Sequence, residues 1–241
     1  MSRLLASRQV VYLDHREAAT GRTGEWPSWL PEDCLQAVET AGIHQPWEHQ
    51  ARFAELARAG NHAAICTATA SGKTLAYLLP IMAATASTTP VVPEPSTPDR
   101  PASLRDSLHR NSALYLAPTK ALAHDQERVC REVGPRDWLV STLDGDSDEA
   151  ERRFAREQAR YILTNPDMLH HTVLPSHSRW ASLLGSLRYV VIDEAHRYRG
   201  VFGAHVAQVI RRLRRLCRMY GADPVFLLSS ATSTNAAEAG T

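Results

Sequence analysis

A mostly parallel α/β sheet covered by helices on both faces is the fold class this sequence predicts. Three observations predict it. From residue 62 onward, short apolar runs alternate with longer helix-like runs. The short runs are nearly continuous in apolar residues, as strands buried on both faces require. A small-residue turn ending in Gly72-Lys73-Thr74 joins the first strand-like run to the first helix-like run, an arrangement that builds α/β units around a ligand.

Taken in order, residues 1–61 read as a lead-in. Trp26-Pro27-Ser28-Trp29-Leu30-Pro31 is an ordered turn whose two indoles pack on the main body. Pro31 to Ala41 reads as a helix with Leu35 and Val38 on one face, closed by Gly42 as glycine commonly closes a helix. A second helix runs from about Pro46 to Ala59 and stops at Gly60-Asn61. Residues 62–241 form the main unit. Its strand-like runs are 62–67, 112–117, 138–143, 160–164, 187–192 and 224–229. Its helix-like runs are 73–87, 120–132, 148–158, 166–173 and 202–220, with right-handed crossovers expected between parallel strands. Residues 88–103, with five prolines, interrupt the rhythm and read as a long mobile surface loop.

Bulk properties exclude several classes. An apolar content of 44% and a charged content of 22% over 241 residues describe an ordinary globular chain. A net charge of +1 supplies no bulk attraction to nucleic acid, so any such binding uses local patches. The four cysteines are scattered without a C-x-x-C pair, which argues against a disulfide frame or zinc site and for a reducing compartment. No histidine pair has metal-ligand spacing. No secretion signal and no apolar run of membrane-spanning length is present, so a cytoplasmic protein without a membrane partner is expected.

Two segments carry chemistry. Thr67-Ala68-Thr69-Ala70-Ser71-Gly72-Lys73-Thr74 follows the apolar run Ala63 to Cys66 and precedes a helix. The N–H groups of such a turn, with the positive end of the helix, cradle phosphate. Lys73 then reaches the β/γ-phosphates and the Thr74 hydroxyl reaches Mg²⁺. Of the 27 basic residues 2 are lysine, Lys73 and Lys120, in a background otherwise entirely arginine. A compact ammonium suits a tight phosphate site better than a planar fork. The second segment, Asp193-Glu194-Ala195-His196, follows Tyr189 to Ile192 and lies at the carboxyl edge, where such sheets bind ligands. Asp193 is placed to hold the metal and Glu194 to orient and deprotonate water, although an acidic pair after a strand also simply caps helices. Ser230 and Thr232 follow Val225 to Leu228 and reach the same edge.

Taken together, these segments resemble the superfamily-two DEAD/DEAH-box helicases. In order come Gln50, the Ala68–Thr74 turn (motif I), Ala117-Pro118-Thr119-Lys120-Ala121-Leu122 (Ia), Thr164-Asn165-Pro166-Asp167 (Ib), Asp193 to His196 (II) and Ser230-Ala231-Thr232 (III). The turn at Asp144-Gly145-Asp146 and the stretch Arg197 to Val206 resemble the YprA-like (MrfA-like) branch of DNA helicases. Two departures stand out: Thr67 replaces the glycine of the strict phosphate-loop pattern, and Ala70 replaces a second one. The first is usual in superfamily two and the second is shared by the branch.

The resemblance implies a RecA-like P-loop NTPase lobe using ATP and Mg²⁺. Thr69, Ala70, Ser71, Gly72, Lys73 and Thr74 hold the nucleotide, and Gln50 meets the adenine edge unless it is an ordinary helical glutamine. His196, Ser230 and Thr232 couple the nucleotide site to the rest. Thr119, Lys120, Thr164 and Asn165 grip a sugar-phosphate backbone without reading bases. The expected partners are single-stranded DNA, tracked 3′→5′ in a DNA-repair setting, and a second RecA-like lobe. Nine residues, Ser233 to Thr241, follow Thr232, so the chain reads as the first lobe alone with little turnover. An RNA helicase lobe and a nucleotide-gated binding or regulatory module remain the alternatives. The arginine run Arg211 to Arg218 is either a nucleic-acid patch or a solvated helix face with Leu213 and Leu216 turned inward.

Overall fold

The structure is a computed structural model, and it describes residues 21–67, 72–86 and 111–231. The proline-rich 88–103 loop and most of the phosphate turn lie outside the described residues. Six strands form one sheet: β1 (Ala63–Cys66), β2 (Ser112–Leu116), β3 (Val140–Thr142), β4 (Tyr161–Thr164), β5 (Leu187–Ile192) and β6 (Val225–Ser230). Their order is β1-β6-β5-β2-β4-β3, and every neighbouring pair is parallel. Each strand lies within two residues of its apolar run. A continuous apolar run marks a strand buried on both faces, so the signal survived into three dimensions.

Alternation along each strand splits the core into two layers. On β2, Ala113 and Tyr115 face one layer while Leu114 and Leu116 face the other. The first layer is closed by α1 (Glu32–Thr40), α2 (Glu48–Arg58), α3 (Lys73–Thr85) and α4 (Lys120–Val133). Its centre is α3, which is buried at every residue from Leu75 to Thr85 and therefore apolar all round rather than striped. Trp26 and Trp29 of the lead-in pack on this layer, as expected of the indoles of that turn. Gly42 takes φ +85° after α1, and the Ile43 N–H bonds the Val38 carbonyl 3.0 Å away, closing the helix end.

The opposite layer is closed by α5 (Glu149–Glu157), a turn α6 (Pro166–Met168) continuing as a π-helical turn Leu169–Val173, a 3₁₀ turn His177–Trp180, α7 (Ala181–Ser186) and α8 (Gly200–Met219). The pieces between Leu174 and Ser186 were invisible in the sequence, being too short for periodicity to develop. Ser112 ties them to the sheet through Leu183 O at 3.1 Å and Ser186 Oγ at 3.0 Å. On α8 the inward residues are Val206, Val209, Leu213, Leu216 and Cys217. Arg214 and Arg218 instead pair with Asp223 at 3.3 and 3.2 Å. The solvated-face reading of the arginine run is the one this packing supports.

Two stability outcomes follow from the first layer. The Tyr161 hydroxyl is fully buried with no hydrogen-bond partner among the described residues, while its ring stacks on Trp138 at 5.4 Å. Tyr161→Phe keeps the ring and removes the unsatisfied oxygen, so urea unfolding should show equal or higher stability, by up to about 1 kcal/mol. Leu78→Ala, at a fully buried position of α3, should cost about 2–5 kcal/mol in the same measurement.

Candidate nucleotide and nucleic-acid site

The strand order brings the sequence motifs together. β6 lies between β1 and β5, so Cys66 pairs with Ser230 and Leu228 pairs with Ile192. The phosphate turn leaving β1, the acidic turn leaving β5 and the Ser230 end of β6 therefore share one carboxyl edge. Thr69, Ala70 and Ser71 lie outside the described residues, as does Thr232.

At the close of the phosphate turn, Gly72 takes φ +76°, a conformation only glycine adopts freely. A second constraint acts at the same atom: a Cβ on Gly72 would stand 2.5 Å from Gln50 Nε2. That nitrogen donates to the Gly72 carbonyl at 2.8 Å. Gln50 Oε1 accepts from the Trp47 N–H at 2.8 Å, capping α2. Gln50 is almost wholly buried and pins the turn to α2. Its amide keeps one further hydrogen and one further lone pair. Beside it lies a largely apolar cavity of about 280 Å³, bounded by Trp47, Gln50, Gly72, Thr74, Leu75 and Val129 among others. Lys73 opens α3, and its ammonium donates to the Thr67 carbonyl at 2.8 Å.

Thr74 and Asp193 are joined through two tyrosines that the motifs did not indicate. The Tyr77 hydroxyl lies 3.5 Å from Thr74 Oγ1, and its ring sits 6.1 Å from that of Tyr115. The Tyr115 hydroxyl donates to Asp193 Oδ2. Burial drives both tyrosines far above their ordinary pKa, aided at Tyr115 by Tyr77 and Asp193, so both stay protonated and able to donate. The only hint in the sequence was the i,i+3 spacing of Thr74 and Tyr77 on one helix face. Asp193 Oδ1 also accepts the Glu194 N–H at 2.9 Å, and the Asp193 N–H bonds Leu116 O at 3.1 Å. Glu194 itself has φ +49°, the one positive φ outside glycine among the described residues. Such geometry costs about 1–3 kcal/mol and persists where surroundings impose it.

His196 ties the acidic turn to β6. Its Nδ1 lies 3.2 Å from Glu194 Oε2, 3.2 Å from Ser230 Oγ and 3.4 Å from the Ala231 N–H. One nitrogen cannot serve all three. Unprotonated it accepts from Ala231; protonated it donates to Glu194 or Ser230.

Next along the edge, Thr119 caps α4, its Oγ1 accepting from the Leu122 N–H at 3.3 Å. Asn165 caps α6, its Oδ1 accepting from the Met168 N–H at 2.8 Å. Lys120 pairs with Asp146 at 2.8 Å, which raises its pKa. Asp146 is positioned by Asp144, whose Oδ1 accepts the Asp146 N–H at 2.8 Å, while His124 Nε2 lies 2.9 Å from Asp144 Oδ2. Burial pushes Asp144 upward, but that N–H and the His124 ring outweigh it and hold its carboxyl below the usual range. Thr164 corrects the expectation: it is buried, and its hydroxyl donates to the Leu143 carbonyl at 2.7 Å. It locks β4 to the end of β3, with its hydroxyl committed to that carbonyl.

Comparison with known proteins decides the family. A model of the DEAD/DEAH box helicase family matches residues 47–239. The chain belongs to the DEAD/DEAH box helicase family. It is 40% identical over 243 residues to the ATP-dependent helicase YprA of Bacillus subtilis, covering all of this chain and 30% of YprA. It is 37% identical to the ATP-dependent helicase HRQ1 of Saccharomyces cerevisiae, over 79% of this chain and 16% of HRQ1. Among solved structures it matches the DUF1998 helicase MrfA bound to DNA and AMPPNP with a TM-score of 0.80 and 41% identity, over 99% of this chain and 31% of MrfA. The chain thus spans about a third or less of the length of these relatives. The sheet is that of the RecA-like helicase core, a fold shared at 21% identity and a TM-score of 0.67 with the DEAD-box helicase Mss116.

Gly72→Ala brings both backbone strain and a collision with Gln50. It should lower unfolding stability by about 1–3 kcal/mol. A control at exposed Ala59 should leave the urea midpoint unchanged.

Proposed function

We propose that this chain is the ATP-binding lobe of an ATP-dependent helicase acting on single-stranded DNA. The supporting observation is the β1-β6-β5 order, which brings the carboxyl ends of these three strands, where the phosphate turn, Ser230 and the acidic turn begin, to one edge. In this reading residues 1–61 form the lead-in and 62–241 the RecA-like lobe, with a second lobe closing over the nucleotide. The adenine enters the cavity beside Trp47 and meets the remaining valences of Gln50. Lys73 exchanges the Thr67 carbonyl for the β/γ-phosphates, trading a neutral acceptor for a charged one.

The donors suit Mg²⁺, which prefers hard oxygen ligands. Thr74 offers a hydroxyl and Asp193 a buried carboxylate with lone pairs left after its two hydrogen bonds. When bound, the metal neutralises charge on the transferring phosphoryl group. Tyr115 holds the Asp193 carboxylate in place for it. Glu194 accepts the proton of the attacking water from a turn whose backbone is held in the left-handed region. His196 shifts between Glu194 and the β6 end, so a change at the carboxylate is felt at Ser230 and Ala231.

DNA preference is supported by likeness to MrfA, solved bound to DNA; translocation 3′→5′ and a cytoplasmic setting belong to the same reading. By itself the lobe binds nucleotide and turns it over slowly, because a transition-state arginine supplied by a second lobe is worth about three to five powers of ten.

Binding of a fluorescent ATP analogue in Mg²⁺ checks the assignment. Lys73→Ala should weaken it about tenfold or more, and Glu194→Gln should leave it near the unaltered value. Equal affinity of the Lys73→Ala protein, or brisk DNA-stimulated hydrolysis by the 241-residue chain, would contradict the reading.

A further inference from the structure

The cavity at the Thr119 and Asn165 caps has a volume of about 420 Å³, and Phe202 and His171 are among its lining residues. Its charge does not explain a grip on phosphate. Lys120 is already matched by Asp146, and the Asp167 carboxylate adds negative charge to the lining. What sets this cavity apart is the aromatic wall. Phe202 is 41% exposed and its neighbour Val201 is 90% exposed, at the first turn of α8. Phe202 is also held in place: its ring packs at 5.6 Å on Tyr198, and a Cβ on Gly203 would stand 2.4 Å from the Tyr198 carbonyl. An apolar ring left this exposed, yet fixed from behind, is a preformed flat surface.

We propose that Phe202 is a stacking platform for a nucleobase of the single strand that crosses this cavity, so that binding here depends on base stacking more than on phosphate charge. The inference rests on reading the cavity as a nucleic-acid surface. The strand's sugar-phosphate runs past Thr119, Lys120 and Asn165, and one base turns inward onto the ring. Every base has a π-face, so such a contact is sequence-tolerant and suits a translocating motor. His171 also lines the cavity the base would enter. Phe202 stands one ring from the acidic turn, since the Tyr198 ring packs tilted against it and the Tyr198 N–H bonds Ala195 O at 3.1 Å.

Fluorescence anisotropy with a short deoxythymidine oligomer and a matched abasic oligomer tests this on the whole chain, with melting curves for each variant. Phe202→Ala should weaken thymidine-oligomer binding about tenfold and leave abasic-oligomer binding unchanged. Phe202→Tyr should restore the difference, and Phe202→Leu should not. Unchanged thymidine binding in Phe202→Ala, equal losses for both oligomers, or full rescue by leucine would each overturn the proposal. If the unaltered chain binds neither oligomer, the nucleic-acid reading of the cavity falls with it. If it binds both alike and Phe202→Ala changes neither, only the stacking role falls.

Discussion

Asp193 is a carboxylate held at the mouth of a parallel sheet with little access to water. Such a group keeps its place only if its oxygens are satisfied by donors that cannot leave. Tyr115, on the neighbouring strand, supplies one and the Glu194 N–H supplies the other. Tyr115 is itself supported by Tyr77, which reaches back to Thr74 at the start of α3. A buried polar thread therefore runs beneath the nucleotide edge, joining the phosphate turn to the acidic turn through the core. Removing either tyrosine hydroxyl leaves the next group along without its donor, which is the costly direction for a buried hydrogen bond.

A shortage of compatible bonds also marks the acidic turn. His196 Nδ1 faces a carboxylate, a hydroxyl and a backbone N–H, and no protonation state satisfies all of them. An arrangement with two incompatible sets of bonds is bistable, and whatever draws Glu194 away biases the choice. Because β6 lies between β1 and β5, that choice is made at the edge where the phosphate turn leaves β1, and it involves the residue after Ser230.

On the other half of the edge, polar side chains mostly hold one another. Thr119 and Asn165 cap helices, Lys120 answers Asp146, and Asp144 is held by His124. Glu127 adds to this lattice, accepting from Arg131 at 2.7 Å and from Thr142 at 2.8 Å. A surface so internally paired offers weak Coulombic attraction to a polyanion, and salt would screen what remains. The exposed aromatic wall at Phe202 is the feature there with unspent binding capacity.

Much of this protein was determined by the sequence alone. The six strands followed from continuous apolar runs, because burial on both faces leaves no polar alternation to confuse them. The glycine closing the turn before the helix at Lys73 followed from turn chemistry, and the place of Asp193 just past a strand end followed from the buried run before it. The inward Leu213 and Leu216 followed from helical spacing. Tertiary structure alone decided the rest. Strand order, and so the place of Ser230 between two motifs, depends on crossovers that no local pattern encodes. Tyr77 and Tyr115 look like ordinary core aromatics until packing brings their hydroxyls to Thr74 and Asp193. Thr164 looked like a surface contact, yet the β3–β4 register turned its hydroxyl onto Leu143. Gln50 met Gly72 across 22 residues of chain. Local propensity names the groups available; which of them meet is set by long-range packing, where each hydrogen bond is chosen by what else is buried beside it.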